Sequence, residues 1–220
     1  MIKLRIATGL GLLLLMAAMA CGPVGMNQPR ANGGGVTLAS LAGKFETRGS
    51  GSYTVCLNAS FSAPVDCASA PHQEMPFNLT SVAHVTRDAG GNSCAVTTLT
   101  NSPVYGTISP AFRARMNVTR NNVSTTTSFD LATGSGSSSF SQYRGGRCIG
   151  AVFDSTGAVL TGTGTQSFMV SDSGSRMDTI VTSFSVVTNP VGVPGMLKET
   201  MPMIKATSRR SRATSIRQSD

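Results

Sequence analysis

The chain has 220 residues, a formal net charge of +8, 40% hydrophobic residues, only 5% aromatic residues and no Trp. That length suits one β-domain of ordinary size, and the abundance of Ser, Thr and Gly, with no long apolar stripe of helical period after residue 21, argues against a helical bundle. Positions 37–195 hold nine basic against eight acidic groups, so the body of the chain is near neutral. This excludes a basic domain that grips nucleic acid, and no nucleic-acid partner is expected.

In chain order, the first element is a signal. Lys3 and Arg5 precede an uncharged run from Ile6 to Ala20. The run is shorter than the roughly twenty apolar residues a spanning helix needs, and it ends in small residues, the pattern of a removable secretory signal helix. Ala18-Met19-Ala20 satisfies the ordinary small-x-small cleavage rule. Cys21 follows at once, then Gly22 and Pro23.

Residues 1–22 resemble the lipobox-type signal of bacterial lipoproteins. The resemblance implies that Cys21 takes a diacylglycerol, that cleavage falls just before it, and that the freed amine is acylated, with palmitate as the expected chain. Ala18 stands where Leu is most common in that family. By the same resemblance an Asp after the cysteine would hold the protein at the inner membrane; Gly22 implies the outer membrane of the bacterial envelope. Plain secretion after Ala20 is the alternative. Several acyl chains anchor stably where one binds only marginally. Residues 21–35, rich in Gly, Pro and Asn, read as the flexible tether such an anchor needs.

Residues 36–191 read as the β-domain. Alternation of apolar and polar residues marks nine short strands: Tyr53–Leu57, Leu79–Thr86, Cys94–Thr100, Arg115–Arg120, Val123–Leu131, Cys148–Asp154, Ala158–Gly162, Gln166–Val170 and Asp178–Val186. In the clearest, Val123, Thr125, Thr127, Phe129 and Leu131 share one face; in the last, Ile180, Phe184 and Val186 do. Turn residues at 88–93, 120–122, 132–138, 154–158 and 171–176 separate them. The expected fold is all-β, a single antiparallel up-and-down barrel or sandwich, which hides its strand edges by closing or folding over. The segment Phe153–Val187 loosely resembles hairpins of lipocalin-like bacterial domains.

With Cys21 set aside, Cys56, Cys67, Cys94 and Cys148 remain. An even number in an exported chain predicts two disulfides, with three pairings possible. Cys56–Cys67, across a short turn-rich loop, and Cys94–Cys148, between an early and a late strand, are favoured. No C-x₂-C pair suggests zinc. Residues 192–220 read as a disordered basic tail. From Met196 onward, Lys198, Lys205, Arg209, Arg210, Arg212 and Arg217 outnumber Glu199 and Asp220, a surplus suited to contact with anionic surfaces.

Chemistry is sparse. His84 lies in a strand beside Val82, where packing is the commoner role. His72 and Glu74 form an H-x-E pair in a Pro-bounded loop, a weak metal candidate without the P-C-x-x-C of zinc deaminases. No nucleophile elbow, P-loop or dinucleotide fingerprint occurs, and no cofactor is expected. The expected role is a lipid-anchored extracytoplasmic domain that binds an apolar small molecule or surface polymer, with Tyr53, Phe129, Phe168 and Phe184 as candidate wall residues. The alternatives are a hydrolase on the same fold and a purely structural or adhesive surface protein.

Overall fold

The computed structural model describes residues 35–69, 71–187, 193–199 and 203–211. The signal, Cys21 and all of the tether but its last residue lie outside the described residues, as do positions 212–220.

Ten strands form. They are β1 (Gly43–Leu57), β2 (Gln73–Arg87), β3 (Asn92–Pro103), β4 (Val118–Phe129), β5 (Ser135–Arg144), β6 (Arg147–Ile149), β7 (Val152–Asp154), β8 (Val159–Ser171), β9 (Arg176–Val186) and β10 (Met203–Arg210), with one helix, α1 (Pro110–Met116), between β3 and β4. Eight of them close a barrel in the order β1-β2-β3-β4-β5-β8-β9-β10, and β6 pairs only with β7. Every pairing is antiparallel. The fold is therefore an up-and-down barrel and not a sandwich, with one small hairpin inserted between β5 and β8.

Closure corrects the reading of the C-terminal segment. Residues 203–210 are not a disordered tail. They form β10, which pairs with β1 from Phe45↔Arg210 to Ser52↔Met203 and with β9 from Lys205↔Ile180 to Arg209↔Arg176. The physical reason is edge satisfaction: β1 and β9 would otherwise expose unpaired backbone groups. Residues 195–198 extend the same edge, since Cys56 N–H donates to the Met196 carbonyl at 2.8 Å and Lys198 N–H to Thr54 at 3.0 Å. Lys205, Arg209 and Arg210 thus belong to the barrel.

Further expectations change: residues 120–122 lie within β4 and not in a turn, and Ala158–Gly162 and Gln166–Val170 merge into one strand, β8. Arg115–Arg120 is not one strand: Ser109 caps α1 by accepting from Phe112 N–H at 3.2 Å, and Pro110 occupies its first turn, so the helix holds the chain to Met116. Cys148–Asp154 bends at Gly150 into the β6–β7 hairpin. The turn-like run 132–138 is a turn only to Gly134, after which β5 begins. Bulges also alter two faces. Pairing of β4 with β5 shifts between Thr126 and Ser128, so Phe129 faces inward while Val123 and Thr125 face out. A shift of β8 against β9 at Thr165/Gln166 places Val181, Phe184 and Val186 inside and Ile180 outside.

The two ends differ. Short turns at 88–91, 130–134 and 172–175 join strands at one, the turn end. Long connections carrying α1, the β6–β7 hairpin and residues 58–72 lie at the other, the helix end. Val55, Phe77, Phe112, Met116 and Met196 form the core of the helix end. Leu41, Phe168, Val170 and Met177 pack at the turn end beneath residues 36–42. The disulfides join the expected pairs: Cys56–Cys67 ties the 58–69 loop to the end of β1, and Cys94–Cys148 fastens the hairpin to the outer face of β3.

The outer face is mainly Ser, Thr and charged side chains, with Lys44, Glu46, Arg48, Asp178 and Lys205 among them. A barrel embedded in lipid carries an apolar outer band instead. No helix among the described residues is long and apolar enough to cross a membrane.

Candidate ligand-binding site in the barrel lumen

Strand alternation sends every second side chain inward, and in an eight-stranded barrel these either fill the interior or leave room for one small ligand. Here room remains. A cavity of about 250 Å³ runs along the lumen between the two plugged ends.

Its walls differ in character. Leu79, Val85, Val181, Phe184, Ile204 and Ala206 make an apolar wall on the side of β1, β2, β9 and β10. Across β3, β4, β5 and β8, Ser93, Thr97, Asn122, Ser124, Gln142 and Gln166 bring polar groups in among apolar side chains such as Leu99 and Phe140. The polar groups largely satisfy each other: Ser93 and Ser124 hydroxyls share a hydrogen bond of 2.7 Å, Asn122 Nδ2 donates to Thr97 Oγ1 at 2.7 Å, and Gln166 Nε2 donates to Ser138 Oγ at 2.9 Å. Thr161, buried at the β5–β8 bulge, donates to the Gln142 carbonyl at 3.1 Å. Asn122 Oδ1 is buried with no hydrogen-bond partner among the described residues.

Glycines make the aromatic part of this wall possible. Phe184 lies over Gly162 and Phe140 over Gly164, so close that a Cβ on either glycine would come within 2.5 and 2.6 Å of ring carbons. The two rings stack at 6.0 Å with planes 8° apart. At the helix end Tyr53 stacks on Phe77 and donates to Asn101 Oδ1 at 2.7 Å, while Asn101 Nδ2 donates to the Met116 carbonyl at 2.6 Å. Burial raises the Tyr53 phenol above its usual range, so it stays a neutral donor.

Charge inside the barrel is of one sign. Arg87 lines the cavity at the turn end and is 4% exposed. Its guanidinium sits 5.8 Å over the Phe168 ring and donates to Thr126 Oγ1 at a long 3.4 Å. Arg120, 5% exposed, has the inward parity of β4; it donates to the Thr119 carbonyl at 2.9 Å, and its Nε has no partner among the described residues. Burial pulls both guanidinium pKa values below normal; the Asp88 charge opposes this at Arg87, and Arg144 adds like-charge repulsion at Arg120. Among the described residues no carboxylate has inward parity on a barrel strand. Asp88 faces its own turn, accepting from Asn92 N–H at 2.8 Å.

The four candidate wall aromatics divide. Tyr53 and Phe184 line the cavity. Phe129 and Phe168 stack on each other at 6.0 Å in the turn-end plug with Leu41. His72 and Glu74 are not brought together: the ring Nδ1 of His72 meets the Ser69 carbonyl at 2.7 Å, and Glu74 pairs with Lys198 at 2.6 Å. The described residues contain no group of three metal-ligating side chains. His84 faces outward with Val82, both exposed. Sequence reasoning missed Arg87, Ser93, Asn122 and Gln142. A usable signal existed in β2, where continuing the inward series Leu79, Ser81, Ala83, Val85 by two residues lands on Arg87.

No protein-family model matches the chain, and no curated protein matches it either.

Proposed function

We propose that this chain is a lipid-anchored protein of the bacterial envelope whose barrel holds a small amphipathic molecule in its lumen. One observation carries the reading: the lumen holds a cavity of about 250 Å³ with an apolar wall on one side and polar groups gathered on the other. Ligand sites are mostly apolar concavities with a few fixed polar groups, and this lumen has that composition.

The anchor belongs to the same proposal. Cys21 carries the lipid, the chain from Gly22 spaces the barrel from the outer membrane, and β1 begins shortly after it. Mass spectrometry of the mature N-terminus tests this: diacylglycerol and acyl mass on Cys21 supports the anchor, and an unmodified Cys21 N-terminus replaces it with plain secretion. Binding is tested on the full chain by isothermal titration calorimetry with straight-chain amphiphiles of six to twelve carbons. Saturable one-to-one binding that disappears in Ala83→Phe, a substitution that fills the lumen, supports the reading. Absence of binding across the series leaves a structural or adhesive role. The hydrolase alternative gains nothing from the geometry, because both histidines lie outside the lumen.

A further inference from the structure

The lumen reading leaves the charge of the ligand open, and the inference here rests on that reading. We infer that the lumen selects an anionic amphiphile, a medium-chain carboxylate, whose headgroup sits at Arg87 between the hydroxyls of Ser93 and Ser124 and whose chain lies along the apolar wall.

The placement follows from register and charge. Arg87 pairs with Ser93 across β2–β3, and Ser93 with Ser124 across β3–β4, so three cavity-lining polar side chains sit side by side on consecutive strands. The Ser93–Ser124 hydrogen bond uses one hydroxyl hydrogen and leaves the other to donate to a ligand. The Arg87 guanidinium has five N–H donors, and among described residues its contacts are one long bond to Thr126 and the face of Phe168. Asp88 is the one acidic group acting on it, and that carboxylate is turned to its own turn, accepting from Asn92, so the buried cation is only partly compensated, which is costly. Folding has already stripped water from Arg87, so a carboxylate arriving there pays only its own desolvation and gains a charge-assisted pair in a low-dielectric site. Arg120 adds positive potential of the same sign, and no inward carboxylate competes. Ala83, Val85, Val181 and Phe184 offer contact for a chain leading away from the headgroup.

The test uses the full chain and three probes of equal length: octanoate, its neutral methyl ester and octylammonium, titrated calorimetrically at pH 7. Octanoate is expected to bind at least about tenfold more tightly than the ester, with octylammonium weakest. Arg87→Met is expected to bring octanoate to the level of the ester while leaving ester binding unchanged. The wild-type comparison stands by itself should that variant fail to fold, and Arg87→Lys, which keeps charge but loses the fork, is expected to fall between. Equal affinity for octanoate and ester, or octanoate binding unchanged in Arg87→Met, overturns the anionic headgroup site while the lumen remains a binding site. Failure of all three probes overturns both.

Discussion

The two ends of the barrel are sealed by different means. At the helix end, long connections supply a proper core: Phe77 and Phe112 are both essentially unexposed and meet edge to face at 6.4 Å, with the Cys56–Cys67 bond fixing the loop beside them. At the turn end the strands simply reverse, and the seal is a strap. Residues 36–42 cross the opening, Leu41 drops onto Phe168 and Val170, and Arg210 holds the strap from above. That arginine stacks over Phe45 at 5.1 Å and donates to the carbonyls of Ala42, at 3.0 Å, and Ser40. The contrast assigns stability to one end and adjustability to the other: few buried contacts and exposed hydrogen bonds are the marks of segments that open first.

That contrast can be broken or sharpened by substitution. Phe77→Ala is expected to have the largest effect, a loss of about 3–5 kcal/mol, with the whole barrel unfolding at lower denaturant. A similar loss confined to α1 would show that the helix end is a separate unit. Leu41→Ala removes a comparable buried side chain from the strap and is expected to cost about 2–4 kcal/mol. Hydrogen exchange then decides where: faster exchange at 36–42 with unchanged protection in β2 and β3 supports a strap, and uniform loss does not. Replacing Cys56 and Cys67 together by Ser is expected to cost about 2 kcal/mol, at the low end for a disulfide because the closed loop is short, and denaturation of the oxidised and double-Ser proteins measures it.

Arg210→Ala is smaller, about 1 kcal/mol, because the side chain is exposed. Its signature is faster exchange at the strap. The smallest effect is acid sensitivity of the turn end. Asp88 and Asp130 accept hydrogen bonds within their turns, and these bonds, above all those from Asn92 and Ala132, lower both folded pKa values. Their contribution is therefore complete above the unfolded value, near pH 4, and is lost as pH falls through the folded values. Denaturant midpoints between pH 6 and pH 3 are expected to fall for the wild type and to fall less in Asp88→Asn/Asp130→Asn.

What the sequence shows and what it hides follow from the same lumen. Alternation located β2 because Leu79, Ala83 and Val85 are apolar and inward, and β9 through Phe184 and Val186, although Ile180, counted on the same face, points out. It passed over β5, whose inward series includes Gly136, Ser138 and Gln142, and over β10, whose apolar inward pair Ile204 and Ala206 is followed by Ser208 in a run rich in basic residues. A pattern rule that equates inside with apolar cannot register a strand that turns hydroxyls and amides to a cavity. It also chose Val123 and Thr125 as the core face of β4, when Asn122 and Ser124 face the lumen. The cysteine count left three disulfide pairings open, and the one favoured on loop length and strand order is the one present. The candidate site was legible only by halves: its aromatic residues stand out in a chain poor in aromatics, whereas Arg87 and its serines acquire meaning only once three strands are set side by side.

The pairing of β1 with β10 sets an order of events. Thr47 and Ser208, hydrogen-bonded at 2.7 Å, are 161 positions apart. A chain made or threaded from its N-terminus presents β1 long before its closing partner exists. Until Ser208 arrives, β1 keeps a bare edge of backbone donors and acceptors, and the sheet is an open sticky ribbon. The barrel thus has a vulnerable period equal to the time needed to deliver nearly the whole domain. A short synthetic copy of residues 203–210, offered to the unclosed chain, would compete for that edge and act as a stopper of folding.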